Sequence, residues 1–128
     1  MKLKTLYELK REPERPVTWG FIQQTIKDLD EEFQKAGYHT AVTIKRIIMY
    51  PTHSWAQLRI TNEEWTYDGQ KMVTINTAVK DWPHLGVELY KWFEGDIDYE
   101  EEGTDINLND DDAMNELWEF VREHLPLL

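Results

Sequence analysis

The chain has 128 residues, 41% hydrophobic and 30% charged, which predicts one domain with its own core and leaves little room for two. It has no cysteine, which excludes a disulfide framework, a thiolate metal site and a cysteine nucleophile. No run reaches the roughly 18 apolar residues of a membrane span. The formal net charge of −11 sets the chain against DNA, RNA and anionic membranes as direct partners and favours a cationic one.

Residues 1–16 read as an N-terminal arm and linker. Leu3, Leu6, Tyr7 and Leu9 suit a short helix or an edge strand, and Pro13 and Pro16 then remove backbone donors. Lys2 and Lys4 are not followed by the apolar block of a signal peptide, so the expected location is the cytoplasm. Thr18 is a natural N-cap for a helix over about 19–36. Its buried stripe is Trp19, Ile22, Ile26, Leu29, Phe33 and Ala36, and Gly37 supplies the residue beyond its end.

The period then changes from 3.6 to 2. Tyr38 to Tyr50 is rich in β-branched residues, with Val42, Ile44, Ile48 and Tyr50 sharing one parity. Pro51 to Ser54 is a turn, and Trp55 to Thr61 is a second strand with Ala56, Leu58 and Ile60 on one face. Trp65–Tyr67 and Met72–Asn76 flank Asp68-Gly69, a strong hairpin signal. Pro83 suits the first turn of a short helix carrying Leu85, Leu89, Trp92 and Phe93. Residues 94–112 read as an acidic loop. A last helix begins near Asp110–Asp112 with Met114, Leu117, Val121 and Leu125 as its buried stripe. The expected fold is a single α+β domain over 1–128. It has an antiparallel meander of three to four strands, an N-terminal helix and two C-terminal helices, with the acidic loop between the last two.

Chemistry-bearing residues are sparse. His39, His53, His84 and His124 stand in no zinc spacing, so no metal site or cofactor is expected. The chain's one serine, Ser54, sits in no nucleophile elbow and reads as a turn residue. Glu88 is the one acid in an apolar stretch, Val87-Glu88-Leu89-Tyr90, although a solvated face explains it equally well. Asp105, Asn107, Asn109 and Glu116 fall at positions 1, 3, 5 and 12 of a calcium loop. However, Asp110 stands where the turn wants glycine and Asp112 where an apolar residue is usual, and capping of the last helix explains Asn109 and Asp110. Trp55 shares a strand face with Gln57 and Arg59, where it can anchor a partner or lie under the N-terminal arm.

The distribution of charge carries the functional expectation. Residues 94–124 hold thirteen acids against one base, Arg122, a formal −12; the rest, with thirteen bases and twelve acids, is +1. Solvated acidic loops often serve solubility alone. Here the charge continues onto a predicted helix, among Tyr99, Trp118 and Phe120. The expected partner-binding face is Asp96, Asp98, Glu100, Glu101, Glu102, Asp110, Asp111, Asp112 and Glu119. Its carboxylates would stand in for phosphates in the groove of a basic, nucleic-acid-binding protein. In kind, though through no alignable motif, such a chain is similar to the small acidic inhibitors of phages and mobile elements. These include DNA-mimic anti-restriction and anti-CRISPR proteins, and immunity proteins that neutralise basic nuclease toxins. The expected activity is non-enzymatic inhibition by binding such a protein, with no direct contact to nucleic acid or membrane. A calcium-binding module over 105–116 is the alternative from another class.

Overall fold

The computed structural model describes residues 17–63, 69–92 and 99–127. Their order is helix α1 (Trp19–Lys35), strands β1 (His39–Lys45), β2 (Trp55–Thr61), β3 (Gln70–Ala78), β4 (His84–Trp92) and β5 (Tyr99–Asn107), then helix α2 (Ala113–His124). The five strands form one antiparallel sheet in the order β1-β2-β3-β4-β5. Each strand is hydrogen-bonded to its neighbour in sequence, so the sheet is a simple meander.

Helix α1 begins where its cap is placed. The Thr18 hydroxyl accepts from the Phe21 amide at 3.1 Å, satisfying one of the orphan donors of the first turn. Gly37 ends it at φ 107, a conformation that costs an L side chain free energy. Ile22, Ile26, Leu29 and Phe33 are fully buried. They meet a sheet face on which Val42, Leu58, Ile75 and Val87 stand in one row across four strands, with Ile60, Val73 and Leu89 in the next. Helix α2 covers the same face toward β5 through Leu117 and Val121, with Leu125 just past its end. Both helices therefore lie on one side of the sheet.

Several sequence expectations change. Residues 84–92 form strand β4, not a helix. Leu85 and Leu89 are four apart, which fits a helical stripe, but Leu85, Val87 and Leu89 also alternate, and all three are buried between β3 and β5. The expected acidic loop is in large part strand β5, which pairs with β4 from Asn107 to Tyr99 around a bulge at Leu89/Tyr90. The sheet thus has five strands instead of three or four, and the described residues hold one C-terminal helix, not two. Pro83 follows a cis peptide bond in the turn before β4 and opens no helix. The first strand stops at Lys45; Ile48 and Tyr50 lie in the β1–β2 connection, 83% and 62% exposed. At that connection the Ile47 amide donates to Ser54 Oγ and a 3₁₀ turn covers Pro51–His53, which takes the chain off the strand path. Gly69 has the positive φ expected of the hairpin, at 83; Trp65–Asp68 lie outside the described residues.

The end of the chain is fastened to the beginning of the sheet. Tyr38 is buried, and its hydroxyl donates to the Leu125 carbonyl at 2.8 Å. Burial raises the Tyr38 pKa above its ordinary 10.0, and the nearby Arg122 charge opposes this.

Two outcomes test this packing. Phe33→Ala should cost about 3–5 kcal/mol in chemical denaturation, because the ring is wholly buried and stacks on Trp118 at 4.2 Å. A change near zero would remove α1 from the core. Tyr38→Phe should cost about 1 kcal/mol at neutral pH. A tyrosine whose folded pKa is raised stabilises fully below its unfolded value and loses that contribution as pH climbs through the folded value. The wild-type chain should therefore lose stability above about pH 10, and the phenylalanine variant should lose less over the same range.

Candidate functional site: an acidic edge and an open groove

Among the described residues β5 is an edge strand, and it places part of the acidic segment. Strand alternation would put Glu100 and Glu102 on one face, but the bulge that inserts Glu101 between them sends them to opposite faces. Glu102 pairs with Leu89 on the helix-covered side, where its Oε2 lies 3.1 Å from His124 Nε2 of α2. Glu100, opposite Tyr90, carries its carboxylate toward Gly103 on the other side. Glu101 sits at the bulge and meets Lys91 Nζ at 3.0 Å. The triplet read in the sequence as one patch is thus three separate environments.

Helix α2 supplies the rest. Glu116, Glu119 and Glu123 line a trough of about 370 Å³ between α2 and β5, with Glu102 on the facing wall and Ile106 and Phe120 in its lining. Asp110, Asp111 and Asp112 are exposed in the turn that leads into α2, where carboxylates favour the helix N-terminus. Of the expected face, the structure therefore gathers Glu102 and Glu119 in one trough beside Asp110–Asp112. Glu116 and Glu123 join them from outside the expected set, legible in the sequence only through their three- and four-residue steps from Glu119. Asp96 and Asp98 lie outside the described residues. Trp118 and Phe120 do not share a surface. Trp118 stacks on Phe33 and lies beneath Arg122, 5.1 Å from the ring, whereas Phe120 packs against His124.

The calcium spacing does not converge in space. Asp105 faces the side of the sheet away from the helices, with Oδ2 at 2.7 Å from His84 Nδ1, while Glu116 lines the trough on the helix side. Asn107 Oδ1 accepts from the Asn109 amide in a local turn. Among the described residues no group of three or more His, Asp or Glu side chains is disposed around a metal position.

The second feature is a groove of about 910 Å³ at one end of the sheet face opposite α1 and α2. Register explains its floor. Gln57, Asn76, Gly86 and Asp105 form one row across β2 to β5, and Arg59, Thr74, Glu88 and Gly103 form the next. A hydrogen-bonded chain runs through them. Arg59 Nε donates to Gln57 Oε1 at 3.2 Å, Gln57 Nε2 to Asn76 Oδ1 at 2.7 Å, and Asn76 Nδ2 to Thr74 Oγ1 at 3.2 Å. Tyr90 donates its hydroxyl proton to Glu88 Oε2. Trp55 and Trp82 stand in the lining, the latter held edge-on against Phe21 of α1 at 4.6 Å. Two 3₁₀ turns, Pro51–His53 and Val79–Asp81, close the end and are tied together by the Val79 amide donating to the Ser54 carbonyl at 3.1 Å. Ser54 is fully buried, and its hydroxyl is a structural acceptor.

Trp55, Gln57 and Arg59 do share the polar sheet face expected from their parity, and Glu88 lies on it too. Trp82, His84 and Asp105 were not legible as members, because β4 and β5 were not read as strands. No family model, curated protein or solved structure matches this chain. No helix among the described residues is long and apolar enough to cross a membrane.

Proposed function

We propose that this protein is a non-enzymatic acidic inhibitor that binds a basic, nucleic-acid-binding protein or nuclease in place of its nucleic acid. The reading is supported above all by the ordered trough in which Glu102 of β5 faces Glu116, Glu119 and Glu123 of α2. An acidic segment that served solubility alone would need no fixed geometry. Here the three helical glutamates are spaced by about 4.5 and 6 Å along a rigid axis, the same scale as the 3.4 Å axial charge spacing of one DNA strand. Carboxylates held at such intervals accept charge-assisted hydrogen bonds from arginine and lysine without first paying the entropy of ordering a loop. Asp110–Asp112 extend the charge from the head of α2. Long-range attraction from the −12 of residues 94–124 would raise the on-rate, while the trough would hold the contact.

The test compares charge position at constant net charge. Binding of an octa-arginine peptide is measured for E116Q/E119Q/E123Q and for E31Q/E32Q/E63Q, whose carboxylates lie on α1 and in the β2–β3 connection. The first variant should bind about tenfold more weakly, as expected for three rim pairs of roughly 0.5 kcal/mol each. The second should stay within about twofold of wild type, and both should keep wild-type stability. Wild-type affinity should fall steeply as salt rises past the regime where the Debye length is about 10 Å, and duplex DNA should compete for the peptide. Equal weakening in the two variants would reduce the acidic edge to a solubility feature.

A further inference from the structure

We infer that the groove on the sheet face opposite α1 and α2 is a receptor for a lysine or arginine side chain presented by the partner protein. The inference deepens the proposed function and rests on it for the source of that side chain, but the recognition chemistry belongs to the groove alone. At about 910 Å³ the groove has the size of a ligand site, with room for a long side chain and the backbone that carries it.

Its polar groups select a cation. Three carboxylates, Asp81, Glu88 and Asp105, line it; Lys80 meets Asp81 at 3.8 Å, His84 meets Asp105 at 2.7 Å, and Arg59 stands in the next row of the same face, bonded to Gln57. Glu88 uses Oε2 to accept from Tyr90. Its Oε1 lies 3.5 Å from the point where a Cβ on Gly86 would stand, so the missing side chain at Gly86 leaves open the space in front of that oxygen. Gly103, opposite Glu88, likewise leaves room for the Glu88 stem, since a Cβ there would come within 3.4 Å of its Cγ. The Gln57–Asn76 amides are already occupied in their own hydrogen-bonded chain. Each amide spends one of its two N–H donors in that chain, so the floor offers donors as well as acceptors; the carboxylate oxygens, which only accept, are what an ammonium or guanidinium, which only donates, matches. Trp55 and Trp82 complete the chemistry: indole surfaces cover the methylene stem and attract the cationic head.

The experiment titrates the full chain with Nα-acetyl-lysine N-methylamide, the matching arginine derivative and the neutral norleucine derivative, read by amide and indole NMR shifts. The two cationic probes should move the indole signals of Trp55 and Trp82 and the Gly86 amide, with dissociation constants on the order of millimolar, as befits ligands of about a dozen heavy atoms. The norleucine probe should leave them in place. Glu88→Gln should weaken the cationic probes about tenfold, and Asp105→Asn should also weaken them, which keeps the test open if one variant folds poorly. E116Q/E119Q/E123Q should leave this binding unchanged, so a failed trough and a failed groove are told apart. Equal shifts from norleucine would make the groove a merely apolar surface. Shifts confined to α2, or none at all, would overturn the inference. Spermidine binding far more tightly than the side-chain probes would reassign the groove to a free polyamine and overturn it as well.

Discussion

The two-sidedness of the sheet is the constraint on which the rest depends. Both helices, with Ile22, Ile26, Leu29 and Phe33 on one and Leu117 and Val121 on the other, cover a single face. That choice forces every second residue of each strand onto the opposite face. There the chain places amides, Arg59, Glu88 and Tyr90 in a hydrogen-bonded lattice in place of apolar side chains. Buried polar groups are tolerated only when paired. Thr74, 2% exposed at the centre of this face, meets the requirement by accepting from Asn76. The groove is the end of this lattice, where Gly86 leaves the floor low.

The same alternation manages the sheet's edges differently. β5 carries Glu100, Glu101, Glu102 and Asp105 and no base, which guards an edge that no described strand pairs against pairing with another strand. Its acids thus protect the fold as well as supplying the proposed contact, and pairing with Lys91 and His124 limits their mutual repulsion. β1, at the opposite edge, has Lys45 and no acid.

What could be read from the sequence followed the strength of local signals. The first helix is legible because a cap, an apolar stripe and a terminal glycine agree with one another; of the stripe, Ile22, Ile26, Leu29 and Phe33 are buried, Trp19 is half-buried, and Ala36, past the last turn, is exposed. β2 was legible because Ala56, Leu58 and Ile60 alternate cleanly with polar residues. β4 was misread because Leu85 and Leu89 satisfy both periods; Val87 between them decides it only once β3 is known to need a partner. Among the residues of β5 whose burial is described, Ile106 alone is buried and apolar, and the strand's conformation comes from pairing with β4 and not from its own composition. Tertiary context overrides weak strand propensity in this way. The groove inherits both misreadings, since Glu88, His84 and Asp105 are brought beside Trp55 and Gln57 only by the register of β4 and β5.

The proposed contact and the groove both require that the acidic segment be an edge strand. Amide hydrogen exchange across Tyr99–Asn107 measures this directly. Amides directed at β4 should be protected and their alternate neighbours should exchange freely, a two-residue pattern that no loop produces. Uniformly fast exchange through the segment would show an unstructured acidic loop, and the trough and the groove wall at Asp105 would fall with it.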